Sequence, residues 1–431
     1  MTKKLLIISD APDAKTGFAR NCQCIIDGLK NNENIEIAVA SLTDVKSREA
    51  DGYTVFPGRV ADGKQDYGRR QIPKIINKWE PDIVLSIVDL QMVSYLKNLK
   101  YPSEVQVNID QPYKSYDPNA VANQVRDKVK SMKDRDTFKW VALVPIDGEP
   151  VPRSWHNILK HYVDEVVAMS KYGKKRLKKE VGVHAKYIPH GVKIDQYVDR
   201  DEKNSKEDLF NIPESNFLVG TVNRNQKRKM YPRLIKAFAK FYHEDSLDDA
   251  HLYLHCDYQD RAGWDITELL VNEGLAVPNG NGGFRSIKNS DGTPVVLPYA
   301  GKVSFDKLMD IYSSFDVFFS ATGGEGFGLT TIEAMASETP VLITDYTTSR
   351  EIVDGNELCL IPVETMYRPV PEFSGCERAL IDVDSAANRI FQFYSPDVPT
   401  PVGLDMLNPV DEYDWESVGQ RWDDYISDLE V

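Results

Sequence analysis

Two glutamates and a glycine-rich turn offer the clearest chemistry in this sequence. Glu325 lies in the turn, and Glu333 follows with seven residues between them. The stretch Leu329–Ser337 has apolar residues at helical spacing, so the turn leads into a helix whose first N–H groups face an anion. Eight residues of helix rise about 12 Å, which is too far for the two carboxylates to share a proton. We expect them to hold two separate parts of one elongated ligand.

A basic loop earlier in the chain offers the matching positive charge. The apolar run Phe217–Val222 predicts a strand, Arg224 and Lys229 follow it, and Pro232–Tyr242 predicts a helix. Arginine grips a diphosphate as a fork and lysine as a point charge, so this loop can form an anion site. A solvated basic loop explains the same residues without a ligand.

Two loops in the first half of the chain also follow predicted strands. Thr16 and Gly17 come after the strand Leu5–Ser9, and the glycine lets a ligand approach the backbone closely. A plain tight turn is the alternative. Asp147 and Glu149 come after the strand Trp140–Pro145, and ligands gather at such carboxyl ends of strands, which makes both residues candidates for acceptor contact or proton handling. Asp-Gly is also a common turn.

Strands alternate with helices along both halves of the chain, which predicts two doubly wound α/β domains with parallel sheets. A highly charged stretch without an apolar period separates them, so we predict domains over residues 1–198 and 199–412. The last helix, predicted over Trp415–Leu429, carries an apolar stripe for packing. We also predict a short strand at Val295–Leu297 and irregular chain over Pro362–Ser374.

Two basic helices are predicted in the first half of the chain. One covers Asn119–Lys133, within the less regular segment Tyr101–Thr137, where Val105–Ile109 predicts a strand. The other covers Tyr172–Val181 and carries Lys174, Lys175, Arg176, Lys178 and Lys179. A solvated helix face is the simpler interpretation. A peripheral contact with an anionic membrane or with a phosphate backbone is the alternative.

The composition describes an ordinary globular chain of 431 residues, with 42% hydrophobic and 27% charged residues. The formal net charge of −14 argues against a general nucleic-acid binder, which needs a basic surface to displace counterions. Five scattered cysteines have no zinc spacing and indicate a reducing compartment. No signal peptide and no apolar run of roughly 18 residues is evident, so we expect a soluble, cytoplasmic protein.

Four segments, in order along the chain, carry a resemblance to a known family. The pair of glutamates with its seven-residue spacing resembles the signature of retaining glycosyltransferases with the GT-B fold, of the family-4 type called glycosyl transferases group 1. Pro189–Val192 resembles that family's interdomain segment. Arg224 with Lys229 resembles its diphosphate grip, and Arg350–Val353 resembles a segment that follows the signature. The ordered set is more specific than any one of these motifs.

The resemblance implies two facing Rossmann-like domains with the active site between them, and a C-terminal helix (residues 413–431) that crosses back to the first domain. It implies a nucleotide-sugar donor whose ribose donates hydrogen bonds to Glu333, while Glu325 and backbone N–H groups hold the sugar and the distal phosphate. Arg224 and Lys229 then neutralise the departing diphosphate, so no metal ion or cofactor is required. The donor-binding residues carried over by position are Thr16, Gly17, Arg224, Lys229, Val303, Glu325, Gly326, Phe327, Gly328, Leu329, Thr330 and Glu333.

The resemblance also implies retention without a nucleophile, by attack of an acceptor hydroxyl on the face that the diphosphate leaves. The catalytic residues it implies are Arg224, Lys229, Glu325 and Asp147. Asp147 stands where the family often has a histidine, so its implied task is to position the sugar or the acceptor. The donor nucleotide (UDP or GDP) stays open, and so does the acceptor, which is a glycan, a lipid-linked sugar, a protein or a modified nucleic acid. A GT-B isomerase or phosphorylase and a non-catalytic GT-B binding subunit are the alternatives.

Overall fold

The computed structural model describes residues 2–62, 66–100, 138–198, 205–244, 247–299, 301–369, 375–395 and 410–431. The strands of the first domain are β1 (Lys3–Ser9), β2 (Ile35–Ser41), β3 (Arg48–Ala50), β4 (Tyr53–Pro57), β5 (Ile83–Ser86), β6 (Lys139–Val144), β7 (Glu165–Ala168) and β8 (Lys186–Tyr187). In the described part of the chain they form one sheet in the order β3-β4-β2-β1-β5-β6-β7-β8. Neighbouring strands are parallel except for the antiparallel edge pair β3 and β4.

Helices cover both faces of this sheet. They are α1 (Gly17–Leu29), α2 (Ile72–Trp79), α3 (Leu96–Lys100), α4 (Arg153–His161), α5 (Lys171–Arg176), which continues as a π-helical turn (Leu177–Val181), and α6 (Asp195–Val198). The central strand β1 explains the two-sided cover. Leu5 and Ile7 enter one core cluster and Leu6 and Ile8 enter another, and all four are fully buried. A continuous apolar run of this kind is typical of a parallel strand with both faces covered.

The second domain repeats the arrangement. Its strands are β9 (Phe217–Val222), β10 (Ala250–His255), β11 (Ala276–Pro278), β12 (Phe284–Ser286), β13 (Val317–Ser320), β14 (Val341–Thr344), β15 (Leu360–Ile361), β16 (Val363–Tyr367) and β17 (Arg378–Ile381). A parallel sheet has the order β10-β9-β13-β14-β15, and β11–β12 and β16–β17 are separate antiparallel pairs. The helices are α7 (Lys206–Phe210), α8 (Tyr231–Glu244), α9 (Ile266–Asn272), α10 (Phe305–Ser313), α11 (Leu329–Ala336), α12 (Ser349–Ile352) and α13 (Val383–Tyr394), with 3₁₀ turns at Lys227–Lys229 and Glu357–Cys359.

The C-terminal helix α14 (Trp415–Asp428), preceded by a 3₁₀ turn at Val410–Tyr413, returns to the first domain and packs on α1. The two helix backbones touch where Gly28 faces Gly419, because a Cβ atom on Gly28 would lie 2.4 Å from the Cα atom of Gly419. The predicted apolar stripe is confirmed as core, since Trp422 and Ile426 are fully buried. This crossing and the two Rossmann-like sheets confirm the GT-B architecture predicted from the sequence.

Two predictions of secondary structure were wrong. The stretch predicted as a strand at 295–297 makes only a single bridge, from Val296 to Leu252. The stretch predicted as irregular at 362–374 contains β16, which pairs with β17 after a register shift. Its sequence Val-Glu-Thr-Met-Tyr has strand propensity, but the prolines on either side argue against a strand, so β16 was not predicted. The strand and helix predicted within residues 101–137 lie outside the described residues, and so does the predicted domain boundary at 198/199. In the described part of the chain, no helix combines the length and the apolar character that crossing a lipid bilayer requires.

Candidate active site

The two domains meet closely at the glycine-rich turn that follows β13. A Cβ atom on Gly324 would lie 2.1 Å from the backbone oxygen of Asp147, and one on Gly326 would lie 2.8 Å from the Cβ atom of Pro145. Gly324 also has a φ of 144°, which side-chain-bearing residues rarely adopt. These glycines therefore let the turn of the second domain rest on the carboxyl end of β6 in the first domain. The predicted residues Asp147 and Gly326 thus both lie where the two domains meet.

Helix α11 starts at this contact with an open N-terminus. Its N-cap is Gly328, which has a φ of 103° and provides no side-chain cap. Leu329 and Thr330 form the first turn, where N–H groups have no partner within the helix. The helix dipole adds partial positive charge at the same point, so this end of α11 is suited to a phosphate.

Glu325 is held in the turn by two cations. Its Oε1 atom accepts a hydrogen bond from Lys229 Nζ at 2.5 Å, and its Oε2 atom lies 2.8 Å from Arg228 Nη1. Thr322 Oγ1 donates a further hydrogen bond at 2.9 Å. Burial opposes ionisation of this carboxyl, but Arg228 and Lys229 outweigh it and lower the pKa of Glu325 to about 2. Burial lowers the pKa of Lys229 to about 8, although Glu325 acts in the opposite direction.

Asp147 is fixed by Arg378 and lies at a longer distance from Arg228, which also pairs with Glu325. Arg378 Nη1 donates to the backbone oxygen of Asp147 at 2.6 Å and lies 3.2 Å from its Oδ1 atom. Arg228 Nη1 donates to the backbone oxygen of Gly324 at 2.9 Å, and its Nε atom lies 4.0 Å from Asp147 Oδ2. Asp89, which follows β5, belongs to the same group, because burial and then Asp147 raise its pKa to about 6. The cleft therefore contains an alternating cluster of carboxylates and guanidinium groups.

Sequence reasoning missed Arg228, Arg378 and Asp89. Arg228 directly precedes Lys229 in the basic loop, so the signal was present but was assigned to a different arginine. Asp89 follows a predicted strand, as Asp147 does, and the same rule on carboxyl ends of strands would have found it. Arg378 is nearly fully buried on β17, a strand that was not predicted, and we see no local signal that marks it.

Arg224 lies apart from the other charged residues of the basic loop. Its Nε atom donates to Asp260 Oδ2 at 2.8 Å, and 64% of its side chain is exposed at the edge of the cleft. The structure brings Lys229 to Glu325 and leaves Arg224 outside that group. Its role at a diphosphate stays a prediction that requires the side chain to leave Asp260.

Glu333 is almost fully buried on α11. Its Oε2 atom accepts a hydrogen bond from the hydroxyl of Tyr312 at 2.8 Å, and its Oε1 atom forms an ion pair with Arg20 of the first domain. Lys229 and Thr330 are linked to each other through Asn223, whose Oδ1 atom accepts from them at 2.6 and 3.4 Å. The two glutamates thus keep separate polar partners, as their spacing predicts.

The side chain of Phe327 packs in the protein interior. Its ring is buried edge-on against His190, at 4.8 Å between centroids, and against Tyr413 at 5.3 Å. Only its backbone is therefore available to a ligand. Burial and then Arg20 lower the pKa of His190 to about 3, so this histidine is neutral.

The Thr16–Gly17 loop of the first domain reaches the second domain near Val303. Thr16 caps α1 by accepting from the Ala19 N–H at 3.1 Å. A Cβ atom on Gly17 would have nothing within 4 Å, so the glycine borders open space. Lys15 Nζ donates to the backbone oxygen of Val303 at 3.2 Å across the cleft. The predicted residues Thr16 and Gly17 therefore lie in a loop that contacts the second domain at Val303.

Among the described residues, no three or more His, Cys, Asp or Glu side chains lie together in a way that could hold a metal ion. The carboxylates of the cleft face arginine and lysine instead. This donor set suits an anionic ligand.

Comparisons with known proteins agree with this architecture. Residues 216–368 match the sequence model of the family described as Glycosyl transferases group 1. The alpha-galactosylglucosyldiacylglycerol synthase of Streptococcus pneumoniae is 27% identical over 112 residues, which are 26% of this chain and 30% of that relative. The match thus spans less than a third of the curated relative's length.

Two solved structures match over nearly the whole chain. The sucrose-phosphate synthase of Thermosynechococcus elongatus has a TM-score of 0.68 at 16% identity, covering 99% of this chain and 98% of its own. Anabaena HepE in complex with UDP-glucose has a TM-score of 0.60 at 14% identity, covering 99% of this chain and 100% of its own. Identities this low show a shared fold and no more. The second domain thus matches the family Glycosyl transferases group 1 over residues 216–368, and the whole chain shares the GT-B fold of these solved structures.

Proposed function

We propose that the protein is a retaining glycosyltransferase that transfers a sugar from a nucleotide-diphosphate donor to an acceptor hydroxyl without a metal ion. The observation that carries the proposal is the arrangement of Glu325 with Lys229 and Arg228 beside the open N-terminus of α11, with Glu333 further along the same helix. One extended donor spans these groups. Its ribose meets Glu333, its diphosphate meets the helix N-terminus, and its sugar meets Glu325.

The positive charges act on the leaving group. As the bond from the anomeric carbon to the phosphate oxygen breaks, its electron pair passes to the diphosphate, and Lys229 and Arg228 stabilise the charge that develops there. The two cations are held in place by Glu325 before the donor arrives, so little reorganisation accompanies the reaction. This charge stabilisation supports a reaction that needs no bound divalent cation.

The acceptor attacks from the face that the diphosphate leaves. Its oxygen forms the new bond to the anomeric carbon, and its proton passes to the departing phosphate oxygen. Asp147 lies opposite Gly324, with its carboxylate held by Arg378, so it is placed to orient the acceptor hydroxyl or the sugar. The donor nucleotide is proposed to be UDP, because the HepE structure with the same fold contains UDP-glucose.

The first domain has an exposed basic face that suits an acceptor located at an anionic surface. Helix α5 and its π-helical turn expose lysines on one face, and α4 beside them contains no acidic residue. The exposed cations are Lys171, Lys174, Lys175, Lys178 and Lys179. We propose a peripheral contact with an anionic membrane, where each lysine near the surface contributes about 1 kcal/mol. The relative from S. pneumoniae, named as a glycolipid synthase, is consistent with this proposal.

The proposal is tested with a panel of UDP- and GDP-sugars. Donor binding is measured by thermal shift, turnover by nucleotide release, and the anomeric configuration of the product by NMR, each with and without EDTA. Retention with full activity in EDTA supports the proposal. Inversion, or loss of activity in EDTA, overturns it in part, and a new nucleotide sugar formed without an acceptor indicates an isomerase. Binding without any turnover indicates a non-catalytic subunit.

The membrane contact is tested by co-sedimentation with vesicles of phosphatidylglycerol, with phosphatidylcholine vesicles and duplex DNA as the other arms. Binding to the anionic vesicles that weakens with salt and is lost in Lys174→Glu/Lys178→Glu supports the contact. Preference for DNA indicates a phosphate-backbone partner. Binding to neither leaves the lysines as a solvated face.

A further inference from the structure

Arg20 crosses the cleft to the residue that the proposed function assigns to the donor ribose. It lies on α1, and its backbone N–H donates to the carbonyl oxygen of Thr16 at 3.0 Å. Its guanidinium pairs with Glu333 on α11 of the other domain. Glu333 exposes 2% of its side chain and Arg20 exposes 36% of its own. Arg20 therefore occupies the side of the carboxylate that opens to the cleft.

The other side of Glu333 is already occupied from within the second domain. The buried hydroxyl of Tyr312 donates to Oε2, and the residues around it are core. A buried carboxylate without compensation is costly, and Arg20 supplies the compensation in the unliganded protein. A ribose diol that is to donate to Glu333 must approach Oε1, where Arg20 now lies.

A second anionic partner for Arg20 is within reach along the same helix. Glu333 comes four residues after Leu329, so the N-terminus of α11 lies about 6 Å away along the helix axis. Arg20 itself comes one turn after Thr16 and Gly17, and Gly17 borders open space. Arginine binds phosphate through two parallel N–H donors, and a diphosphate carries more charge than a carboxylate.

We propose that Arg20 exchanges partners when the donor binds, leaving Glu333 to the ribose hydroxyls and pairing with the diphosphate. Arg20 is thereby a donor-binding residue of the first domain, in addition to those that the family resemblance implies. The inference rests on the proposed function, because it needs a nucleoside diphosphate in this cleft. The exchange also links donor binding to the contact between domains, since Arg20 contacts Glu333 of the second domain before binding and the diphosphate of the bound donor afterwards.

The exchange predicts that two ligands respond differently to the loss of Arg20. In Arg20→Gln, a nucleoside diphosphate loses its arginine partner, so its affinity falls roughly tenfold to a hundredfold, the loss of one charge-assisted pair. The matching nucleoside without phosphates no longer displaces Arg20, so its affinity stays equal or rises. The measurement is isothermal titration calorimetry of UDP against uridine and of GDP against guanosine, with wild-type protein, Arg20→Gln and Arg20→Lys.

Arg70→Gln serves as the matched control, because Arg70 is an exposed first-domain arginine that also pairs with carboxylates, Asp62 and Asp66. It leaves both affinities unchanged. Parallel losses for nucleoside and nucleoside diphosphate in Arg20→Gln overturn the exchange and indicate that Arg20 only holds the cleft together. An unchanged diphosphate affinity overturns it as well.

Two further outcomes separate the possible failures. Wild-type protein that binds no nucleoside diphosphate overturns the proposed function itself, and with it this inference. If Arg20→Gln does not fold, as judged by thermal melting, Arg20→Lys carries the test. Lysine keeps the charge but not the fork, so the diphosphate affinity falls less than tenfold and the nucleoside affinity does not fall. A larger loss for the nucleoside than for the diphosphate contradicts the exchange.

Discussion

The two walls of the cleft are built in different ways. The wall from the second domain takes its key groups from two continuous segments, Asn223–Lys229 and Thr322–Glu333, each of which runs from the end of a strand into a helix. The wall from the first domain consists of single residues that are far apart in the sequence, such as Asp89 after β5 and Asp147 after β6. Arg378 of the second domain contacts Asp147 in this wall. A diphosphate needs the same local binding geometry whatever sugar it carries, so it can be bound by residues that are close together in the sequence. The acceptor differs from one enzyme to another, and single residues from separate loops can change independently to bind it.

The largest expected effect separates the two walls directly. Lys229→Ala removes the cation that contacts Glu325 at 2.5 Å, so kcat/KM falls roughly a hundredfold to a thousandfold through lost stabilisation of the leaving group. Lys227→Ala is the control, because Lys227 is exposed in the same basic loop over the ring of Trp264. Steady-state kinetics and thermal melting of both variants make the measurement. If Lys229→Ala lowers the melting temperature along with kcat/KM, so that the loss of folded protein accounts for the loss of activity, the lysine only supports the fold.

Arg228 and Arg224 provide the next comparison within the second-domain wall. Arg228→Ala is expected to lower kcat/KM roughly tenfold to a hundredfold, because Arg228 contacts both Glu325 and the backbone of Gly324. Arg224→Ala is expected to cost less, since the side chain is exposed and paired with Asp260. The two variants are compared by kcat/KM at saturating acceptor. A larger loss in Arg224→Ala would show that the donor draws Arg224 away from Asp260, as the family resemblance implies.

The same contrast decides how much the sequence could predict. The glutamate spacing, the glycine turn and Lys229 are local patterns, so Glu325, Glu333 and the fold were within reach of sequence reasoning. Arg20 and Arg378 act through contacts between the two domains, and such contacts leave no local pattern. The strand β16 was missed for a related reason, because it pairs only with β17 and prolines border it. Long-range pairing, and not local propensity, decided each of these cases.

The pH dependence of kcat/KM for the donor tests Lys229 in the second-domain wall, and its expected effect is of intermediate size. Burial lowers the pKa of Lys229 to about 8, so this cation loses its proton as the pH rises through 8. We expect kcat/KM for the donor to fall by up to tenfold per pH unit above about 8, because that parameter reports the free enzyme. A bound diphosphate favours the charged lysine, so the corresponding limb of kcat lies at higher pH. A profile that stays flat to pH 10 would contradict the assignment of Lys229.

The smallest expected effect belongs to the first-domain wall. Burial and then Asp147 raise the pKa of Asp89 to about 6, so it is ionised at neutral pH and carries one of the negative charges that face Arg228 and Arg378. Asp89→Asn keeps the size of the side chain and removes that charge. We expect the acceptor KM to rise roughly threefold to tenfold, the size of one weakened hydrogen bond, while the donor Kd changes less than twofold.

This last variant tests whether the two walls act separately. The acceptor KM is measured at saturating donor, and the donor Kd is measured by calorimetry without acceptor. Glu36→Gln is the control, because Glu36 is exposed on β2, away from the cluster of Asp89, Asp147 and Arg378. A loss of donor affinity in Asp89→Asn as large as the loss for the acceptor would mean that the charge cluster joins both walls into one site. The division between a donor wall built from local motifs and an acceptor wall built from scattered residues would then be wrong.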